Sequence, residues 1–180
     1  MPSVHHWRPQ DRRQHQGTPA TIQDLWEICD FNFFPYGNAR RYKNGTSWAF
    51  NCQHGVRECE GNFIETCAVK LSDKNTQAIP FLICIEGNTN DWTSQGKKCA
   101  SQYGMDWDKI SSCAKSQQGV DFLVEMAEAT EKLQPAHTYV PWITVNGAHT
   151  HEGESGMESN MVKACCNTYK GPKKIAACAH

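Results

Sequence analysis

The sequence predicts a single α/β domain with a block of helices inserted between its extended segments. Three observations carry that reading. The runs Asp30–Tyr36 and Tyr139–Val145 are rich in aromatic and β-branched residues, the composition of strands. Asn146-Gly147 follows the second run and is a strong type I′ hairpin signal. Between the two runs, apolar residues recur at three and four, the spacing of helices.

Taken in order, Thr18-Pro19 supplies a hydroxyl cap and a proline at the first helical position. Ile22, Leu25, Trp26 and Cys29 then give a short amphipathic helix. The strand over Asp30–Tyr36 ends in the turn Pro35-Tyr36-Gly37-Asn38, and Asn44-Gly45 marks a second turn before an extended piece at Trp48 and Phe50. Cys59, Phe63 and Cys67 lie four apart and predict a helix from Glu58 to Leu71 with all three on one face. Ile79, Leu82, Ile83 and Glu86 predict another, beginning near Pro80. Shorter helices are expected around Cys99 and over Ile110–Cys113, and a longer one through Val120, Leu123, Val124, Ala127 and Glu131 that stops before Pro135. After the hairpin, Ala148–His151 reads as the returning strand. Met157, Met161, Val162, Cys165 and Tyr169 mark a closing helix stopped by Gly171-Pro172.

Composition narrows the class. The 180 residues carry 18 Lys and Arg against 19 Asp and Glu, so charge points to neither nucleic acid nor an acidic membrane surface. No run of 18 apolar residues occurs, so no membrane-spanning segment is expected. Ten cysteines, at 29, 52, 59, 67, 84, 99, 113, 165, 166 and 178, point to an oxidising compartment, although their pairings number on the order of a thousand. Asn44-Gly45-Thr46 is a glycosylation acceptor and points the same way. Residues 1–17 hold no apolar stretch of signal-peptide length and read as a disordered polar leader to a domain over 18–180.

The densest chemistry is Cys52-Gln53-His54-Gly55-Val56-Arg57-Glu58-Cys59-Glu60-Gly61-Asn62, followed by Cys67. Three readings compete. Cys52, His54, Cys59 and Cys67 are ligand types for tetrahedral zinc, but the paired knuckle spacing is missing. His54 beside Cys52 is a base beside a nucleophile, but two residues apart they usually point apart. The third reading, half-cystines at a hydrogen-bonded helix entry, leads on composition.

This run resembles the signature of the gamma-interferon-inducible lysosomal thiol reductase (GILT) family, C-Q-H-G-x-x-E-C-x-x-N with a further cysteine. Cys52, Gln53, His54, Gly55, Glu58, Cys59 and Asn62 fill all the fixed positions, and Cys67 fits the trailing one. Pro35-Tyr36-Gly37-Asn38-Ala39 before it agrees with the family, as do Tyr139-Val140-Pro141-Trp142 and Thr144-Val145-Asn146-Gly147 after it. The resemblance covers about 18–178 and implies a thioredoxin-like fold with a helical insertion. It also implies reduction of protein disulfides in lysosomes or on the secretory route, with Asn44 placed for glycosylation. No cofactor and no metal are expected. The expected partners are disulfide-containing or unfolded proteins, not nucleic acid or membrane. In thioredoxin-like proteins the proline opening the hairpin strand is cis, and Pro141 matches it, against a base rate of about 5–6%.

One element of the family's chemistry is missing from these 180 residues. The mechanism needs a Cys-x-x-Cys pair, one thiol attacking a disulfide and the second resolving the intermediate, and the sequence contains none. No catalytic residue is therefore assigned. Cys165-Cys166 is vicinal within a helix and each is expected to pair elsewhere, while Cys52 and Cys59 lack the redox spacing. The first strand, an export signal and the dithiol would all lie on the N-terminal side, so the expectation is a truncated or alternatively started reductase. The alternative is a non-catalytic, disulfide-stabilised secreted binding protein of the same family.

Overall fold

The computed structural model describes residues 25–72 and 75–179, with residues 75–77 by backbone alone. The expected leader over 1–17 and the helix cap at Thr18-Pro19 lie outside the described residues. Contacts divide the chain into two compact units, Phe34–Val140 and Met1–Phe33 with Pro141–His180.

In the first of these units, β1 (Arg40–Asn44) and β2 (Ser47–Asn51) form an antiparallel hairpin with Arg40 opposite Asn51 and Asn44 opposite Ser47. Gly45 takes φ 62° at the turn, a conformation open to glycine at no steric cost. Helix α1 (Val56–Leu71) follows, then α2 (Asn75–Ile85), α3 (Trp92–Tyr103), α4 (Trp107–Ala114) and α5 (Gln117–Glu131). Helix α1 is the hub and packs on α4, α5 and α2. A buried cluster of Tyr36, Ala39, Cys52, Leu123, Met126 and Ala127 joins the hairpin base to α5; Phe50 and Phe63 pack against it and meet each other edge to face at 5.5 Å.

The helices start and stop for local reasons. Asp91 accepts from the Ser94 amide at 2.9 Å, and Asp106 from the Lys109 amide at 3.0 Å, capping α3 and α4. Gly104 closes α3 at φ 68°, its amide on the Ala100 carbonyl. Gly61 lets the Trp92 indole lie against α1: a methyl group there would meet the ring at 2.5 Å. Cys67–Cys113 bolts α1 to α4, and Cys84–Cys99 bolts α2 to α3.

In the second unit, β3 (Thr144–Val145) and β4 (Ala148–His149) pair antiparallel across Asn146 at φ 53° and Gly147 at φ 81°. These positive φ values are the type I′ turn the sequence predicts. Thr150 caps α6 (His151–Thr168) by accepting from the Gly153 amide at 3.0 Å. Helix α6 is interrupted at Asn160, whose carboxamide restarts it by accepting from the Lys163 amide at 2.9 Å. Cys29–Cys165 and Cys166–Cys178 hold this unit, so the vicinal cysteines do pair elsewhere.

Several expectations need correction. No strand is assigned over residues 30–36, although Phe31, Phe33 and Tyr36 are buried. Pro35 has no amide donor, and the Tyr36 amide turns back to the Phe34 carbonyl at 2.8 Å. Helix α2 begins ahead of Pro80 and contains it. Burial of Ala78, Ile79, Phe81, Leu82 and Ile85, at about 1.5–3 kcal/mol for each large side chain, exceeds the about 3 kcal/mol cost of an interior proline. The strand expected over Tyr139–Val145 shrinks to its last two residues. Pro141 lacks a donor, and the Ile143 amide is taken by the Glu154 carboxylate at 2.9 Å. Among the described residues the cis peptide is Gln134–Pro135, so the expectation of a cis bond before Pro141 is not met; Pro141 lies ahead of β3 and does not open it. The described residues thus form a mixed α/β arrangement with two separate two-stranded sheets.

Candidate functional site

The run Cys52–Asn62 folds as one local unit at the entry to α1. Cys52 leaves β2, and Gly55 turns the chain at φ 88° directly ahead of the helix. Cys52 and Cys59 are bonded to each other, closing this loop over the first turn. Glu58 reaches back: its carboxylate accepts from the His54 amide at 2.6 Å and meets His54 Nδ1 at 2.9 Å. Its side chain is 6% exposed against 69% for His54, so the acid is held inside the loop and the imidazole faces water. Glu58 thus reaches back over the helix start to the amide of His54, the residue ahead of the Gly55 cap, which has no side chain to offer.

Two contacts tie the loop to the Pro35–Ala39 turn. Buried Asn62 donates to the Tyr36 carbonyl at 3.3 Å and lies 3.8 Å from Cys52 Sγ. Asn38 donates to Gln53 Oε1 at 2.7 Å. Each contact joins a residue of one motif to a residue of the other, which explains why these residue types stand at these positions. Spacing alone gave no sign of either contact. Cys67 takes no part in the loop, since its sulfur is spent on Cys113.

Beside the loop lies an open cleft of about 850 Å³, lined by Tyr36, Arg40, Arg41, Cys52, Gln53 and His137 among others. Burial, followed by the nearby Glu131 carboxylate, pushes the Tyr36 hydroxyl up to about 12. The Arg41 amide and guanidinium partly offset this. Arg41 forks onto Glu131 at 2.7 Å and Glu128 at 3.2 Å, and these bonds, above all the one to Glu131, raise its affinity for its proton.

The zinc reading is overturned by connectivity. Cys52 and Cys59 share one bond and Cys67 is bonded to Cys113, so the three sulfurs are not free to ligate alongside His54. The nucleophile reading fails for the same reason: all ten cysteines are paired. The half-cystine reading of the loop is the one the geometry supports. Asn44 sits at the exposed tip of the β1–β2 hairpin, with Gly45 and Thr46 exposed beside it.

Sequence reasoning missed the buried carboxylate of Glu154, which receives the Ile143 amide and His149 Nε2 at 3.1 Å while Trp142 stacks on His149 at 3.5 Å. The only trace of it in the sequence is an acid in the first turn of α6, the position a helix dipole favours.

The comparisons with known proteins agree with the loop. The family described as Gamma interferon inducible lysosomal thiol reductase (GILT) matches residues 12–103. The chain is 36% identical to the gamma-interferon-inducible lysosomal thiol reductase of Carassius auratus over 156 residues, 86% of this chain and 61% of that protein. It is 33% identical to the gamma-interferon-responsive lysosomal thiol protein of Arabidopsis thaliana over 82% of this chain and 60% of that one. It is 30% identical to the mouse lysosomal thiol reductase over 86% of this chain and 60% of that one. The chain therefore spans about three fifths of the length of these curated relatives.

Proposed function

The chain belongs to the gamma-interferon-inducible lysosomal thiol reductase family, and on that premise we propose that it is the scaffold of a thiol–disulfide oxidoreductase acting on protein disulfides, in a form without the catalytic Cys-x-x-Cys. One observation carries this reading: the signature folds as a closed unit in which Asn62 and Gln53 grip the Pro35–Ala39 turn. In this proposal the loop is a platform and does no chemistry on the substrate. Its sulfurs are bonded together, and its buried carboxylate is engaged by His54. The attacking and resolving thiols are then supplied by a Cys-x-x-Cys element that these 180 residues do not contain.

The same proposal gives the chain a thioredoxin-like frame and disulfide-containing or unfolded proteins as partners. It places the protein in lysosomes or on the secretory route, where five disulfides persist and Asn44 carries a glycan. No helix of the described residues is long and apolar enough to cross a membrane.

The test is to map the terminal peptide of the native protein together with the 5′ end of its transcript. An upstream in-frame segment bearing Cys-x-x-Cys supports the reductase. A start at Met1 with no dithiol overturns it in favour of a non-catalytic binding protein of the same family.

A further inference from the structure

Five disulfides close this chain, and their surroundings are not equivalent. Cys29–Cys165 and Cys67–Cys113 are buried at both ends, with every sulfur residue at most 4% exposed. Cys84 lies in the last turn of α2 and its partner Cys99 is fully buried. Cys166 lies towards the C-terminal end of α6. At a helix C-terminus the dipole opposes a thiolate, and in a buried apolar site desolvation does the same.

Cys52 is buried like those sulfurs, at 5% exposed, and Cys166–Cys178 is the more open pair. Cys52–Cys59 therefore differs not in exposure but in its helix position, in a donor at its sulfur and in the cleft beside it. Cys59 is the fourth residue of the sixteen-residue helix α1, within the first turn, where the dipole favours negative charge. Gly55 supplies no side-chain cap to compete for that end of the helix. Cys52 has a hydrogen-bond donor already aimed at its sulfur, the Asn62 amide at 3.8 Å, and such a donor favours the thiolate over the thiol. Cys52 also lines the open cleft, whose walls carry Arg40, His137 and Arg41, the last paired with Glu131 on the same wall. Two groups oppose these effects: the Phe50 carbonyl lies 3.7 Å from Cys59 Sγ, and Glu58 stands in the same turn, its charge engaged by the His54 amide and imidazole.

We propose that Cys52–Cys59 is a thiol-exchange site for small thiols, the one disulfide of the chain that opens and closes in the folded protein. A small thiolate enters by the cleft and attacks Cys52 Sγ. The Cys52–Cys59 bond breaks, and its electron pair leaves on Cys59 Sγ, at the positive end of α1. A second small thiolate then attacks the external sulfur of the mixed disulfide and frees Cys52 as a thiolate beside Asn62. Two small thiols become one small disulfide, two electrons pass to the protein pair, and the two protons end on Cys52 and Cys59. A good leaving thiolate speeds the first step, and one stabilised in place favours the reduced form. Helix α1 stays anchored throughout by Cys67–Cys113. Cys52 is 5% exposed and sits at the wall of the cleft, so the site admits a small thiol and not the disulfide of a folded protein. The proposal does not rest on the reductase reading, and its test needs no turnover.

The experiment equilibrates the 180-residue protein in reduced and oxidised glutathione buffers, quenches with acid, alkylates in two mass labels and maps the peptides. The expected result is half-opening of Cys52–Cys59 at a glutathione ratio at least about tenfold more oxidising than for each of the other four, about 30 mV for a two-electron couple. Opening of any other pair at or before Cys52–Cys59 overturns the proposal. A Cys59→Ser variant gives a second reading, because the freed Cys52 thiol must form an adduct with oxidised glutathione in the folded protein. A Cys52 that reacts only after denaturation removes the access route and overturns the proposal as well.

Discussion

Asn62 and Tyr36, separated by 26 residues, are joined by a buried hydrogen bond from the Asn62 carboxamide to the Tyr36 carbonyl at 3.3 Å. The same carboxamide faces the Cys52 sulfur at 3.8 Å. One side chain therefore fixes the entry to α1 against the turn that precedes β1. An Asn62→Ala variant removes one of the two donors to that carbonyl and leaves the Ala39 amide at 3.2 Å. It is expected to lose about 0.5–1.5 kcal/mol of stability, read from the urea midpoint, while Asn51→Ala on the exposed strand end changes little.

Tyr36 sets an alkaline limit on the fold. Burial and then Glu131 raise its hydroxyl to about 12, so the folded chain keeps a proton that the unfolded chain loses near the ordinary tyrosine value of 10.0. The folded form binds more protons across that window, so its stability is complete below about pH 10 and falls as pH rises towards 12. Among the described residues the Tyr36 hydroxyl makes no hydrogen bond of ordinary geometry, only a weak electrostatic contact with the Arg41 amide, so Tyr36→Phe is expected to be well tolerated near neutrality and to flatten this decline. Thermal midpoints of both proteins between pH 8 and 12 check the slope. Equal slopes would contradict it.

Arg41 ties the hairpin to α5 through its fork on Glu128 and Glu131, and stacks over Trp48 at 4.7 Å. The carboxylates are half exposed, so the expected coupling is modest. A double-mutant cycle of Arg41→Met with Glu131→Gln should return about 0.5–1 kcal/mol at low salt, and less at 1 M salt.

Gly61 is required by contact and not by backbone angle. Gly61→Ala places a methyl group 2.5 Å from the Trp92 ring, whose Nε1 donates to the Arg57 carbonyl at 2.9 Å. The ring is held by that bond and cannot easily retreat. A loss of about 1–3 kcal/mol is expected in denaturant unfolding. A neutral result would show that the indole shifts freely.

The helices were legible because their signals are local. Cys59, Phe63 and Cys67 at four-residue spacing located α1, and Asn146-Gly147 located the second hairpin to the residue. The strands were less so, because a ladder depends on partners distant in sequence. Ile143 has strand composition, yet its amide goes to Glu154, eleven residues on, and the strand stops short. Pro80 misled in the other direction: it reads as a helix start, but burial of its neighbours carries α2 through it. At the candidate site, the residues of the loop were all legible as a motif. Their partners were not, because the contacts of Asn62 with Tyr36 and of Gln53 with Asn38 bridge segments whose approach no periodicity encodes. The same holds for Cys67 and Cys113, 46 residues apart, which no spacing rule joins.

In the proposal above, the signature loop is scaffold and the catalytic dithiol lies outside these 180 residues, which contain no Cys-x-x-Cys. The most direct test is turnover of insulin disulfides under a dithiol reductant by the chain alone, and by the chain carrying an N-terminal strand that ends in Cys-x-x-Cys. The account predicts no turnover above the reductant's own rate from the chain alone. It predicts turnover from the extended chain that is lost when both added cysteines are changed to serine. Turnover by the 180 residues alone, or none from the extended and folded chain, would contradict it.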